Sequence, residues 1–273
     1  DDPFWYPATK QAYRTAKILN FDITVFAPKG RGEAGTLEMV HFLKKVLEER
    51  YDGICISPIA DLRVEKLLQK MAEKGVEVIF ILSAFDSVPY RTLIGTDSYQ
   101  CGRSTGEAVR EALGADGAVG IIKWKDNLIE TVEDRYHGVV DVLKENRIPY
   151  YDMTGPGEPT AEEATKLTDR LLTEHPDISV LCATNVGWGL AFARYLKSKG
   201  KKVKLVTVDF TDEVGEFMKA GYVDAAIAQR PESWGSMTLE KIEAVFEGQS
   251  IPKTIDTGTY PVTPANIRIY VKD

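Results

Sequence analysis

The residues best placed to do chemistry are polar ones that directly follow short apolar runs. Asn185 comes after Val180-Leu181-Cys182-Ala183-Thr184, Asp209 after the run 203–208 and Gln229 after 223–228. Ser57 and Ser83 close two earlier runs, and Trp124-Lys125-Asp126-Asn127 closes another. Asp2, Phe4 and Trp5 stand just ahead of a helical stretch at 9–19. Amides, carboxylates and hydroxyls in the company of aromatic rings suit a sugar. Its hydroxyls both donate and accept, Asp and Asn can each bridge neighbouring hydroxyls, and its C–H faces pack on flat rings. The plainer reading is that Asn and Asp cap the helices that follow. Gln229 and the aromatics are not capping residues, so capping does not account for the whole set.

Other constellations fail on context. Gly30-Arg31-Gly32-Glu33-Ala34-Gly35 matches the dinucleotide fingerprint, but the next run ends Ile56-Ser57-Pro58, without the acid that would hold a ribose hydroxyl. It reads as a permissive surface loop. Gly102-Arg103-Ser104-Thr105-Gly106 matches a nucleophile elbow, yet the residues before it are already helical. Gly102 and Gly106 instead share a helix face, where small residues allow close packing. No pair of carboxylates is singled out by spacing, so no catalytic residue is assigned and an enzyme is not expected. The three histidines (His41, His137, His175) have no metal-ligand spacing, and no metal or cofactor is expected. Cys55, Cys101 and Cys182 read as buried thiols outside any disulfide framework.

The elements that must position these residues alternate regularly. Strand-like runs fall at 21–28, 53–58, 76–82, 92–96, 118–124, 150–153, 180–184, 203–208 and 223–228. Amphipathic helices fall between them, and Thr160 with Glu163 forms a capping box. This is a βαβ rhythm with parallel sheets. So many strands in 273 residues exceed one small core and predict two α/β lobes without a flexible linker. The tail at 254–262 and 267–271 reads as extended. Hydrophobic residues make up 44% and charged residues 27%, a globular balance, and the net charge of −7 argues against nucleic acid or an anionic membrane as partner. The N-terminus has neither the basic start nor the apolar stretch of a signal peptide.

Six stretches in register resemble the type I periplasmic binding proteins, with the ribose- and galactose-binding proteins of sugar ABC transporters as the nearest branch. They are Asp2-Pro3-Phe4-Trp5, Gly53-Ile54-Cys55-Ile56-Ser57-Pro58, Thr96-Asp97, Ala183-Thr184-Asn185, Val208-Asp209-Phe210 and Ala226-Ile227-Ala228-Gln229-Arg230-Pro231. The resemblance implies two Rossmann-like three-layer α/β/α lobes with parallel sheets, joined by a multi-crossing hinge. The first lobe would be 1–97 plus 230–256, the second 98–229 plus 257–273.

It also implies a binding set. Asp2 would bond hydroxyls while Phe4 and Trp5 sandwich the ring, and Asn185, Asp209 and Gln229 would be ligand positions. Ser83 falls near the place where ribose binders carry an Asp-Arg pair. Arg135-Tyr136-His137-Gly138 matches the family's Arg-x-x-Gly, but Glu133 stands two residues ahead, where an Arg is common. Glu133, Trp124 and Asn127 therefore join the candidates, and the ligand is expected not to be bound as ribose is. The family opens with a central strand, whereas residue 1 already falls in the turn after it. The expectation is that the given chain is truncated or that another segment supplies that strand. By the same resemblance the protein captures a sugar or polyol outside the cytoplasm and delivers it to an ABC transporter permease. The alternatives are a sensor domain serving a membrane kinase or chemoreceptor and the effector domain of a lac-repressor-like regulator.

Overall fold

The computed structural model describes residues 5–30, 32–114, 116–124, 130–157 and 159–270. In chain order the elements are α1 (Tyr6–Leu19), α2 (Glu33–Glu48), β1 (Gly53–Ile56), α3 (Leu62–Glu73), β2 (Glu77–Ile81), β3 (Thr92–Gly95), α4 (Ser98–Leu113), β4 (Ala118–Trp124), α5 (Glu130–Glu145), β5 (Tyr150–Gly155), α6 (Ala161–Glu174), β6 (Ile178–Ala183), α7 (Val186–Lys199), β7 (Lys204–Val208), α8 (Asp212–Lys219), β8 (Ala225–Ala228), α9 (Pro231–Phe246), β9 (Thr254–Asp256) and β10 (Tyr260–Val262). They fall into two compact units. Unit 1 runs to Thr96 and resumes over Arg230–Thr257, and unit 2 takes Asp97–Gln229 and the chain from Gly258 on.

In unit 1 the sheet order is β1-β2-β3-β9, every pair parallel. Successive side chains of a strand point to opposite faces. Val78 and Phe80 of β2 therefore pack with Leu43 of α2 and Leu68 and Met71 of α3. Ile79 packs with Trp234 and Ile242 of α9. Both faces are covered by helices, so the central strand β2 reads as a continuous apolar run over 78–81 rather than an alternating one.

Unit 2 repeats the plan with the order β10-β8-β7-β6-β4-β5. All pairs are parallel except β10 with β8. Ile121, Val180, Cys182 and Val206 pack on one side with Val109 of α4 and Val139 and Leu143 of α5. Ile122, Leu181 and Leu205 pack on the other with Leu171 of α6, Phe192 of α7 and Val214 of α8.

Two expected strands are absent. Residues 21–28 form no ladder. Phe26 stacks on Phe42 at 4.2 Å and the Thr24 hydroxyl meets that of Tyr51 at 3.2 Å. Among the described residues, however, β1 pairs with β2 alone, and no strand offers 21–28 a partner. Extended sequence without a neighbour has nowhere to place its backbone hydrogen bonds and stays irregular. In the tail, Ile267–Ile269 is a 3-10 turn, not a strand. Asn266 draws the chain into local bonding: its side-chain oxygen accepts from Thr263 N at 2.7 Å, and Ile267 N donates to Thr263 O at 2.9 Å.

The two sequence decoys resolve physically. Gly32 caps α2 with φ +56, and the loop amides of Lys29 and Gly30 donate to the Glu38 carboxylate at 2.7 and 3.2 Å. The position a phosphate would take is thus filled by the chain's own acid. Gly102 and Gly106 are a packing face. A Cβ at Gly102 would meet the Arg135 carbonyl oxygen at 2.1 Å, one at Gly106 the Val142 Cβ at 2.8 Å, and one at Gly138 the Tyr99 carbonyl oxygen at 2.2 Å. Three glycines therefore let the backbones of α4 and α5 touch. Burial holds the thiols of Cys55 and Cys182 up at about 12.

Candidate functional site

The parallel strands of unit 2 all end at one edge of the sheet. In spatial order β8-β7-β6-β4, that edge carries Gln229, Asp209, Asn185 and Trp124. Three inter-strand steps of about 4.8 Å make this a row roughly 14 Å long. Carboxyl ends of parallel strands are where open α/β sheets hold ligands, because the following loops diverge there.

Each member of the row is fixed by local bonding. Asn185 is the N-cap of α7, its Oδ1 accepting from Trp188 N at 3.0 Å. Asp209 does not cap α8. Thr211 does, its hydroxyl accepting from Val214 N at 3.3 Å. The Asp209 backbone is instead left-handed, with φ +69, and its N–H donates to Ile227 O at 2.9 Å. Asp tolerates that conformation better than most residues. Its Oδ1 accepts from Gln229 Nε2 at 2.6 Å. The Trp124 ring lies against Gly157, where a Cβ would come within 3.0 Å of it.

What the row leaves over is chemically specific. Asn185 Nδ2, Trp124 Nε1 and Gln229 Oε1 are buried with no hydrogen-bond partner among the described residues. Arg135 Nε is in the same position. Arg135 is only 5% exposed, has no ion pair among the described residues, and reaches Thr184 O at 3.4 Å, so its guanidinium sits at the end of β6 beside Asn185. Buried polar atoms of this kind normally find partners, and each one left without costs about 1–3 kcal/mol. Four at one sheet edge, three donors and one acceptor, match an absent partner that itself donates and accepts.

Arg135 is not among the residues the sequence predicts for the site, where Glu133 stands instead. The structure separates the two. Two residues apart on a helix is about 200° of rotation. Glu133 is partly exposed and is engaged by Lys123 Nζ at 3.0 Å and His137 Nε2 at 3.1 Å. The signal that would have found Arg135 is a cation in a helix whose close neighbours are glycines. There the side chain has no route to solvent.

In unit 1, Trp5 is half-buried ahead of α1, with its ring 5.7 Å from Trp234. Ser83 lies in the turn after β2, and its N–H is taken by Ile81 O at 2.8 Å. Asp2, Phe4 and Asn127 lie outside the described residues.

A family model described as a periplasmic binding protein domain matches residues 1–250. The ribose import binding protein of Bacillus subtilis is 20% identical over 262 residues, 93% of this chain and 81% of that one. A sugar-binding protein of a sugar ABC transporter from Bacillus halodurans superposes with TM-score 0.89 at 18% identity, covering 98% of this chain and 96% of that one. An ABC transporter solute-binding protein from Burkholderia graminis, in complex with D-arabinose, superposes with TM-score 0.86 at 23% identity, covering 99% and 94%. With the fold, the strand-end row and a family match over most of its length, the chain belongs to the periplasmic binding protein family.

Proposed function

We propose that this protein captures a small sugar or polyol between its two units and delivers it to an ABC importer outside the cytoplasm. The observation that carries the reading is the set of unpartnered buried atoms in unit 2, namely Trp124 Nε1, Arg135 Nε, Asn185 Nδ2 and Gln229 Oε1, beside the Asp209 carboxylate. A sugar hydroxyl can satisfy a donor and an acceptor at once, which no purely accepting or donating ligand does. Trp5 of unit 1 supplies a flat apolar surface for the ring.

In this reading the hinge comprises the chain crossings at Thr96–Asp97, Gln229–Arg230 and Thr257–Gly258. A sugar that touches both units favours the closed arrangement by its differential affinity for it, and closure is the signal an importer reads. The relatives named as ribose import and arabinose-bound proteins support this class of ligand. The test is titration with D-ribose, D-arabinose, D-galactose and inositol, followed by tryptophan fluorescence and calorimetry. A saturable change through Trp5 or Trp124, with the sugar recovered unchanged, is the expected result. A folded protein that responds neither to this panel nor to its deoxy counterparts, such as D-fucose and 2-deoxy-D-ribose, refutes the sugar reading.

A further inference from the structure

We infer that Leu82 is a specificity-determining residue, selecting a sugar that presents a C–H or methyl group to unit 1, that is, a deoxy sugar. This deepens the sugar-binding reading above and rests on it.

The two units repeat one strand-end device. β2 lies between β1 and β3 in unit 1 as β7 lies between β6 and β8 in unit 2. Each is followed by a non-glycine residue in the left-handed region, Leu82 at φ +66 and Asp209 at φ +69. Each donates its N–H to the carbonyl of the next strand, Leu82 to Ile94 O at 3.0 Å and Asp209 to Ile227 O at 2.9 Å. Where unit 2 sets a carboxylate, unit 1 sets an isobutyl group.

That choice is not conformationally cheap. Asp and Asn enter the left-handed region readily, whereas a branched apolar side chain there is an outlier. Ser83 N donates to Ile81 O at 2.8 Å, closing a three-residue γ-turn around Leu82, and this sign of turn is the strained one. Strain persists where the surroundings over-determine it. Here a Cβ at Gly95 would stand 3.0 Å from Leu82 Cα, so the turn is pressed on a glycine.

Leu82 also belongs to a surface of one character. It packs half-buried on the cluster of Ile79, Ile94, Trp234 and Ile242, and so does Trp5. Trp234 Nε1 donates to the Thr257 hydroxyl at 2.9 Å, and Thr257 N donates to Gly95 O at 2.8 Å. These bonds place Trp234, and Trp5 upon it, at the carboxyl ends of β3 and β9. Trp5 and Leu82 thus both cover one apolar cluster at the strand ends of unit 1. A hydroxyl set against the isobutyl group loses its water and gains no partner, a discrimination of about tenfold to a hundredfold. A C–H or methyl at the same place loses nothing.

The test is calorimetric titration of the whole chain with matched pairs that differ by one hydroxyl: D-ribose with 2-deoxy-D-ribose and 5-deoxy-D-ribose, D-galactose with D-fucose, and L-mannose with L-rhamnose. In at least one pair the deoxy member binds about tenfold tighter or more, and Leu82→Asn reverses the order in that pair. Asn suits the left-handed backbone, so the variant is expected to fold, with its melting temperature as the check; if it does not fold, the wild-type ratios decide alone. Hydroxylated members that bind as tightly as their partners in every pair, or tighter, overturn the role of Leu82 and leave the sugar reading standing. An unchanged ratio in a folded Leu82→Asn overturns it likewise. No binding by any member of any pair overturns both.

Discussion

Replacing Gly102 by Ala tests whether backbone contact between α4 and α5 sets up the site. The new methyl would sit 2.1 Å from the Arg135 carbonyl oxygen, 2.7 Å from its Cα and 2.8 Å from its carbonyl carbon. All three atoms are backbone, so no rotamer change relieves them. An ordinary contact needs about 3.3 Å, so the helices must part locally by about 1 Å. Alanine favours a helix over glycine by about 1 kcal/mol. Against that, overpacking a helix interface on backbone atoms costs about 3 kcal/mol, the top of the usual range. The net loss is about 2 kcal/mol, or a fall of about 4–8 °C in melting temperature for a protein of this size. The glycines should rank by what they touch. Gly138→Ala meets the Tyr99 carbonyl oxygen at 2.2 Å and should match Gly102→Ala, whereas Gly106→Ala meets first the Val142 side chain at 2.8 Å and should cost less. Thermal unfolding of the three variants reads the order directly. Gly102→Ala melting within about 1 °C of wild type, or Gly106→Ala proving the worst of the three, would refute the reasoning.

Two further outcomes follow from single contacts. Asp209→Asn keeps the left-handed backbone but gives up the charge-assisted bond from Gln229 Nε2, at 2.6 Å, and one acceptor. Affinity for the best sugar of the panel should fall about tenfold to a hundredfold with little change in melting temperature, and a loss under about threefold counts against the site. Asp61 caps α3, and its side-chain bonds from Arg63 hold its carboxyl at about 2, below the ordinary 3.8. A lowered carboxylate contributes stability above its unfolded value and loses it as pH falls through the folded one. The melting-temperature gap between wild type and Asp61→Asn, which retains a capping oxygen, should therefore be flat above about pH 5 and close between 3.8 and about 2. Its size is that of an exposed ion pair, about 1 kcal/mol or less. A gap that widens on acidification contradicts the assignment.

Most of the fold is legible because strands covered on both faces must be largely apolar, as residues 78–81 of β2 and 180–183 of β6 are, and because each helix between them carries a single apolar stripe. The segment 21–28 has the same composition and still forms no strand. A strand is a property of a pair, and composition reports only one partner. Ile267–Ile269 fails for the opposite reason: the competing bond is local, from the Asn266 side chain, and apolar spacing carries no trace of it.

The candidate site divides along a similar line. Asn185, Asp209 and Gln229 are readable because each directly follows an apolar run, so chain order alone puts them at one sheet edge. Arg135 and Leu82 are not, because what matters at each is hidden from residue type. Arg135 is one cation among many until three glycines bring α5 against α4 and bury it. Leu82 looks like the last residue of a strand until the sign of its φ is known. Asn185 shows why capping and ligand binding were never true alternatives. An amide has two ends, and its Oδ1 caps α7 while its Nδ2 stays buried without a partner. The cap holds the side chain still, and a donor held still in advance loses little entropy when a hydroxyl arrives. On that ground Asn185→Ser, which can cap but has no second polar end, separates the two roles. It should leave the melting temperature nearly unchanged and weaken sugar binding, whereas a purely structural Asn185 would leave both unchanged.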